Sequence, residues 1–328
     1  MDKDECIKLV AGKIGCSEKE SGKIVDKAIA GREIKKEDPN FHEWYYSRLL
    51  PNLVSIDFDT YSKTAIDALK ILPTVAATDF GTSRQRDFGQ LWADLTRGYL
   101  AESAFQQYLE QNGVESILAH ERGELKDHLP SDIPFVKTID DEDFREAGIN
   151  IGIKGTKWNG IWLDIPGDQF SHSDYHVLVK VGVHRDHLFG YFGQLGVFRN
   201  IISEAKRLNL LDSDEDEETL VGYIPKFEPI TAYICGFIQN KGQAMTVQAN
   251  GADIFDGKLA RMHYTIHTWK GEYKGGDLEE VARLAGVTHP KGKAKFTGLD
   301  FSPTKHTIFN TGSLNWKASE WKLIIEQL

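Results

Sequence analysis

The sequence predicts an α/β fold in which a central mixed β-sheet is flanked by helices. One long amphipathic helix is predicted from about Gln85 to Gln111, because its apolar residues recur at helical spacing and an Asn-Gly pair follows it. Beyond that helix, apolar residues alternate with polar or small ones around 149–153, 161–165 and 177–183, which is typical of strands. Short turns separate these segments, so we expect three adjacent strands in a meander at the centre of the sheet.

The chain is predicted to contain three regions. Residues 1–80 form a helical region, residues 81–211 the core, and residues 219–328 a strand-rich region. The boundary between the last two lies in the acidic run 212–218, whose like charges repel one another and favour a solvated linker. Another helix is predicted from about 197 to 211, and the glycines directly before it are interpreted as a turn.

The composition is that of a soluble globular protein. Of the 328 residues, 41% are hydrophobic and 27% are charged, and the formal net charge is −10. This acidic balance argues against a protein that coats nucleic acid through its total charge. No segment approaches the ~18 uncharged apolar residues of a membrane helix, and the N-terminal residues lack the order of a secretory signal, so we expect a cytoplasmic protein. Cys6, Cys16 and Cys235 are widely spaced, which favours reduced, structural thiols.

Glu102 is the first residue that the pattern singles out for chemistry. It falls in the middle of the apolar stripe of the long helix, where a carboxylate is costly unless it is neutralised, paired or bound to a cation. Two interpretations stay open at this point. Glu102 either forms a buried ion pair with Arg97 or Lys154, or serves as a functional carboxylate.

Lys154 and Asp132 are the next two candidates. Lys154 ends an apolar strand beside the small residue Gly152, which favours a positioned ammonium, although a lysine that reaches water from a strand end is the alternative. Asp132 follows Pro-Ser and precedes an apolar segment, so it lies where a strand begins. The acidic residues 140–143 are instead predicted to lie in an exposed loop.

This order of elements resembles the PD-(D/E)xK nuclease superfamily and, within it, the Type II restriction endonucleases. Members combine a helix with an inward Glu, a strand that opens with Asp, a second strand that ends in Lys, and a further strand. The resemblance covers about residues 85–192. At Gly152, two positions before the lysine, the family usually has Asp or Glu. The matching segments are Gly98–Glu102, Pro130–Asp132 and Ile151–Lys157.

The resemblance implies a Mg²⁺-dependent, sequence-specific endonuclease that cleaves double-stranded DNA as a homodimer and leaves a 5′ phosphate. Asp132 and a second carboxylate would hold one or two Mg²⁺ ions, which prefer hard oxygen ligands. Glu102 is the first substitute for the acid missing at Gly152, and Asp164 is the second. Lys154 would orient the attacking water or stabilise the charge of the transition state.

DNA contacts are expected mainly from the C-terminal region. Between His289 and Trp321 five lysines outnumber two acidic residues and are interleaved with aromatic residues, which suits a phosphate-contacting surface. A solvated face with ordinary core aromatics is the alternative. The lysines expected to contact DNA are Lys157, Lys291, Lys293, Lys295 and Lys305.

Three other interpretations stay open. The protein is a structure-specific or repair nuclease of the same fold, a catalytically degenerate DNA-binding protein in which Gly152 marks a lost ligand, or a protein without a nucleic-acid role. A zinc site is not predicted, because strands would point the neighbouring histidines in unrelated directions. These histidines are His172, His176, His184 and His187.

Overall fold

The computed structural model describes residues 3–30, 40–74, 87–121, 131–160, 162–211, 217–240, 246–255, 258–268, 272–274 and 305–328. Its helices are α1 (Lys3–Ile14), α2 (Glu18–Ala30), α3 (Phe41–Trp44), α4 (Phe58–Ile71), α5 (Phe88–Gln111), α6 (Arg185–Gln194), α7 (Val197–Arg207), α8 (Glu217–Gly222) and α9 (Ala318–Ile325). Its strands are β1 (Leu53–Ile56), β2 (Val114–Ile117), β3 (Phe135–Thr138), β4 (Arg145–Glu146), β5 (Ile151–Lys157), β6 (Trp162–Pro166), β7 (Tyr175–Val181), β8 (Ile230–Gln239), β9 (Thr246–Phe255), β10 (Lys258–Thr268), β11 (Glu272–Lys274) and β12 (Lys305–Asn310).

A mixed four-stranded sheet lies at the centre of the fold, in the order β1-β8-β7-β5. β5 and β7 are parallel, whereas β8 is antiparallel to both of its neighbours. Strands from all three predicted regions therefore pair in one sheet. Most of the acidic run that was predicted as a linker, residues 212–216, lies outside the described residues.

Helices cover both faces of this sheet. Successive residues of a strand point to opposite sides, so neighbouring residues of β7 pack against different helices. Val177 and Val179 of β7 belong to a buried cluster that includes α4, α5 and α9. Leu178, between them, belongs to a second buried cluster that includes α1, α2 and α3. The predicted α/β arrangement of a mixed sheet flanked by helices is thus confirmed.

The predicted meander is wrong, because β6 does not lie between β5 and β7. It pairs instead with β12, in a separate three-stranded sheet of order β11-β12-β6. Parallel neighbours cannot be joined by a tight turn and need a crossover connection. In this chain, residues 158–174 form that crossover between β5 and β7, and β6 is part of it.

Helix α5 confirms the predicted long helix, although it begins three residues later than expected. The Asp87 side chain caps its N-terminus by accepting a 2.8 Å hydrogen bond from Gln90 N–H. At the other end Gly113 takes a φ of 83°, a conformation that favours glycine. Leu100 and Phe105 are fully buried in the core, but Phe88, the first residue of the helix, is 61% exposed.

The glycines interpreted as a turn lie largely within helix α6. Gly190 is at a close approach between chain segments, because a Cβ there would lie 2.6 Å from Phe227 N. The turn itself is confined to Gly196, whose φ is 73° and which separates α6 from α7. The predicted helix from 197 is confirmed, with its end at Arg207.

The C-terminal helix α9 contributes to the core. Trp321 is buried, and its ring centroid lies 4.7 Å from that of Phe237 and 5.8 Å from that of Phe105. Phe309 is also buried. For these two aromatic residues, the structure therefore favours the alternative of ordinary core packing.

All three cysteines are free thiols, and Cys6 and Cys235 are buried. Burial raises the pKa of the Cys16 thiol to about 11, so this group is protonated at neutral pH.

Among the helices of the described segments, none combines the length and the apolar character needed to cross a membrane.

Gly155→Ala tests the close contact between β5 and α5. A Cβ at Gly155 would lie 2.9 Å from Ala101 Cβ and 3.0 Å from Arg97 O, so one element must shift. We expect the free energy of unfolding in urea to fall by about 1–3 kcal/mol. Gly98→Ala is the control, because a Cβ there meets no atom within 4 Å. The free energy of unfolding of this variant should rise by about 0.5–1 kcal/mol. Equal stability of Gly155→Ala and the wild type would contradict this packing.

Candidate active site

Asp132 lies between two elements that carry other candidate residues. Its N–H donates to Ile151 O of β5 at 2.8 Å, and its carbonyl accepts from Ala119 N at 2.9 Å. Ala119 begins the single-turn helix Ala119–Glu121, which follows β2. Backbone hydrogen bonds therefore fix Asp132 between this turn and the strand that carries Lys154.

The Asp132 carboxylate is the centre of a charged cluster. Its Oδ2 accepts a hydrogen bond from Ile153 N–H at 2.5 Å. Burial and the nearby Glu102 carboxylate raise the pKa of Asp132 well above its usual range, against the opposing effects of Ile153 N–H, Lys154 and His120. The three predicted catalytic residues, Glu102, Asp132 and Lys154, thus lie close enough to interact electrostatically.

Glu102 has a partner that the sequence analysis did not anticipate. Its Oε2 lies 2.5 Å from Nδ1 of the buried His120. The His120 ring stacks on Tyr99, with centroids 4.1 Å apart and planes inclined by 14°. The expected partner Arg97 pairs instead with Asp94, at 3.0 Å. His120 lies in a turn after a short strand, and no pattern in the sequence marks it as the partner of Glu102.

Lys154 is held by a residue of the crossover that joins β5 to β7. Its Nζ donates to Gln169 Oε1 at 2.8 Å, and Gln169 belongs to the single-turn helix Gly167–Ser171. Lys154 is half-buried. Because this hydrogen bond is exposed to solvent, a positioned ammonium and a lysine that reaches water from the strand end both stay possible.

The space next to Gly152, where the family usually has an acid, is filled. A Cβ at Gly152 would lie 2.9 Å from both His176 Nδ1 and Ser173 Oγ. The buried His176 ring places its Nε2 3.0 Å from Phe170 O. Burial lowers the pKa of His176 to about 4, so the ring is neutral at pH 7.

The remaining predicted residues lie elsewhere or are not described. Asp164 is on β6, opposite Ile308 of β12, and therefore belongs to a different sheet from Lys154. Lys157 is exposed at the end of β5, and Lys305 begins β12. Lys291, Lys293 and Lys295 lie outside the described residues. The C-terminal DNA surface thus stays a prediction.

No family model, curated protein or solved structure matches this chain. Any functional conclusion depends on the geometry of the group formed by Glu102, His120, Asp132 and Lys154.

Asp132→Asn should stabilise the metal-free protein at neutral and higher pH. The amide oxygen can still accept from Ile153 N–H, and the repulsion with Glu102 is removed. Because the pKa of Asp132 is raised by folding, the unfolded state loses its proton first as the pH increases, so the contribution of Asp132 to wild-type stability decreases between about pH 4 and about pH 7. We expect a gain of about 1–3 kcal/mol near pH 8.

Urea unfolding in EDTA at several pH values measures this difference. The extra stability of Asp132→Asn over the wild type should decrease toward about pH 4, where an ordinary aspartate is half protonated. An asparagine variant that is less stable than the wild type across this range would contradict the proposed repulsion.

Proposed function

We propose that the protein is a Mg²⁺-dependent endonuclease that hydrolyses phosphodiester bonds of double-stranded DNA at specific sequences. One observation carries the proposal. The carboxylate of Asp132, in the segment before β3, interacts electrostatically with two other charged side chains. These are the carboxylate of Glu102 on α5 and the ammonium of Lys154 on β5. Carboxylate oxygens are ligands that suit Mg²⁺, and a nearby ammonium suits a phosphate.

The residues present fit a bound cation. One oxygen of Glu102 is engaged by His120, and one oxygen of Asp132 by Ile153 N–H. Within the described part of the chain, the second oxygen of each carboxylate has no hydrogen-bond partner and is available as a ligand. The mutual repulsion of the two carboxylates would be relieved by a positive ion between them.

Each residue then has a chemical role. Bound Mg²⁺ would supply Lewis-acid polarisation of the scissile phosphate and lower the pKa of a coordinated water. Lys154, held by Gln169, would donate to a phosphate oxygen and stabilise the negative charge that grows during attack. His120 would fix the orientation of Glu102. Water would add to phosphorus and release a proton to solvent, while the bond to the 3′ oxygen breaks and that oxygen takes up a proton, which leaves a 5′ phosphate and a 3′ hydroxyl.

Specific cleavage of both strands suits a homodimer, because a twofold axis presents the same residues to each half of a palindromic site. The net charge of −10 requires that phosphate contacts come from local groups of lysines. Lys157, on the same strand as Lys154, and Lys305 on β12 are proposed for this role.

A catalytically degenerate DNA-binding protein is the second candidate. It is favoured by the packing of His176 and Ser173 against Gly152, which leaves no room for the acid that the family usually has there. This candidate predicts binding that does not depend on Mg²⁺ and no cleavage.

Lys154→Ala is the first test of the nuclease proposal. Wild type and variant are incubated with unmethylated phage DNA in Mg²⁺ or in EDTA, and the products are separated on a gel. We expect discrete fragments from the wild type in Mg²⁺, and a rate at least about 100-fold lower for the variant. Lys206→Ala removes an exposed lysine on α7 and should cleave like the wild type.

The outcomes separate the candidate functions. Cleavage of branched or damaged DNA with intact linear duplex would indicate a structure-specific or repair nuclease. Salt-dependent binding without cleavage on any DNA would favour the degenerate candidate. Equal rates for Lys154→Ala and Lys206→Ala would exclude Lys154 from the reaction.

His120→Ala tests whether this histidine acts by positioning Glu102. We expect the Mg²⁺ concentration for half-maximal cleavage to rise about 10–100-fold, with most of the rate recovered at saturating Mg²⁺. His42→Ala, at an exposed position in α3, is the control and should leave the Mg²⁺ dependence unchanged. A lower rate at every Mg²⁺ concentration, with an unchanged midpoint, would contradict a positioning role.

A further inference from the structure

A second polar cluster joins helix α2 to the start of helix α6. Glu20 Oε1 lies 2.7 Å from His184 Nε2 and 4.0 Å from His187 Nε2. One potential ligand atom from each of these residues lies within 4.8 Å of the other two. Glu20 and His187 are only 5% and 2% exposed. The cluster thus combines two imidazoles and a carboxylate, of which the carboxylate and one imidazole are buried.

The buried Nε2 of His187 is an independent sign of a ligand position. It has no hydrogen-bond partner within the described part of the chain, although buried polar atoms are normally partnered. It faces the carboxylate oxygen that also meets His184. A cation between these three atoms would pair with the ring nitrogen and with the carboxylate at the same time.

The expectation that these two histidines point in unrelated directions is wrong. The chain leaves the sheet after β7, and His184 becomes the N-terminal cap of α6 while His187 lies within its first turn. Three-residue spacing at the start of a helix brings side chains to the same side. The two ring centroids are consequently only 4.0 Å apart.

We propose that Glu20, His184 and His187 bind a divalent transition-metal ion of the Zn²⁺ class. Two imidazole nitrogens and one carboxylate oxygen form a ligand set that suits Zn²⁺, with a fourth position for water or another ligand. At metal–ligand distances of about 2.0–2.1 Å, tetrahedral geometry places the ligand atoms about 3.3 Å apart. The separations from Glu20 Oε1, 2.7 and 4.0 Å, bracket this value, and the three ligand atoms all lie within 4.8 Å of one another, so side-chain adjustments can bring them to this spacing.

The surrounding charges are compatible with a cation. Lys23 pairs with the other oxygen of Glu20 at 3.0 Å and also with Asp186 at 3.5 Å. Its positive charge is therefore shared by two carboxylates, and Oε1 of Glu20 stays directed at the histidines. Glu228, whose carboxylate accepts from Ser17 N–H at 2.8 Å, adds a further negative charge near His187.

Metal binding through Nε2 places the remaining proton of each ring on Nδ1. His184 Nδ1 would then give up the 3.2 Å hydrogen bond that it accepts from Asp186 N–H as the cap of α6. Asp186 Oδ2, 4.0 Å from the same nitrogen, can accept the new hydrogen bond after a small movement. The contact from His184 N–H to His187 Nδ1 is 3.3 Å long and would be given up, which is a weak hydrogen bond to lose.

A pocket of about 460 Å³ adjoins the cluster at His184, which lines it together with Tyr61, Trp92 and Phe192. Because Glu20 belongs to α2 and the histidines belong to α6, a bound ion would connect the N-terminal helices to the element that follows β7.

Zinc binding by the full-length protein tests the proposal. Protein dialysed against EDTA and then against buffer is titrated with ZnCl₂ in the presence of a chromogenic chelator. We expect the wild type to bind Zn²⁺ at this site, and Glu20→Gln or His187→Gln to bind at least about 10-fold more weakly. Saturating Zn²⁺ should raise the thermal midpoint of the wild type by about 5 °C and that of these variants by much less.

Two controls separate this site from others. His42→Gln removes an exposed histidine and should retain the affinity. Asp132→Asn disables the carboxylate cluster around Asp132 and should also retain it, which makes the result independent of the nuclease proposal. Co²⁺ provides a readout of geometry, because tetrahedral coordination gives a visible absorption that both Glu20→Gln and His187→Gln should lose.

The proposal is overturned if wild-type protein does not bind Zn²⁺, or if the glutamine variants bind it as tightly as His42→Gln. The wild-type titration is informative even if a variant does not fold, since far-UV circular dichroism identifies such a variant. His184→Gln then provides the third ligand position for the same comparison.

Discussion

The parallel pairing of β5 with β7 is the constraint on which the rest of the structure depends. It requires a long connection, which carries β6 away to pair with β12. The same connection supplies Gln169, which holds the Lys154 ammonium. It also fixes the register in which Gly152 lies opposite His176. One pairing in the sheet therefore decides the partner of the lysine, the surroundings of the glycine and the location of Asp164.

The extent to which the sequence predicted this arrangement depends on how local each signal is. The long helix and the strands β5, β6 and β7 were predictable, because periodicity and end signals lie within each segment. Strand β1 was not, because it is four residues long and lies in the region predicted to be helical. The order of the strands in the sheet was not predictable, because apolar and polar residues alternate in the same way whether the neighbouring strand is parallel or antiparallel. Glu102 was identifiable as a carboxylate in an apolar stripe, but its partner His120 was not, since their contact depends on how a turn packs on α5. The pairing of His184 with His187 was missed for a similar reason: the end of a strand was extended into the start of a helix.

Electrostatics distinguishes the two clusters of ionisable residues. Around Asp132 the folded chain brings one carboxylate close to another, and the result is unfavourable for the ionised form of Asp132. Around Glu20 the opposite holds. Burial alone would raise the pKa of the Glu20 carboxyl, but hydrogen bonds from His184 and Lys23 outweigh burial and hold this pKa at about 2. The first cluster is therefore incompletely compensated by the chain itself, which is typical of sites whose function opposes stability. The second is already well compensated at Glu20, whereas His187 Nε2 has no hydrogen-bond partner among the described residues.

The packing at Gly152 has a consequence for how this sequence can change. Any side chain introduced there meets the His176 ring and the Ser173 hydroxyl at once, so a single substitution to Asp or Glu must displace a buried ring. A carboxylate at this position therefore requires a second substitution that shortens a neighbouring side chain. Replacing His176 alone would leave a buried void beside a glycine. The two positions are thus coupled across the strand pair, and a change at one alters the cost of a change at the other.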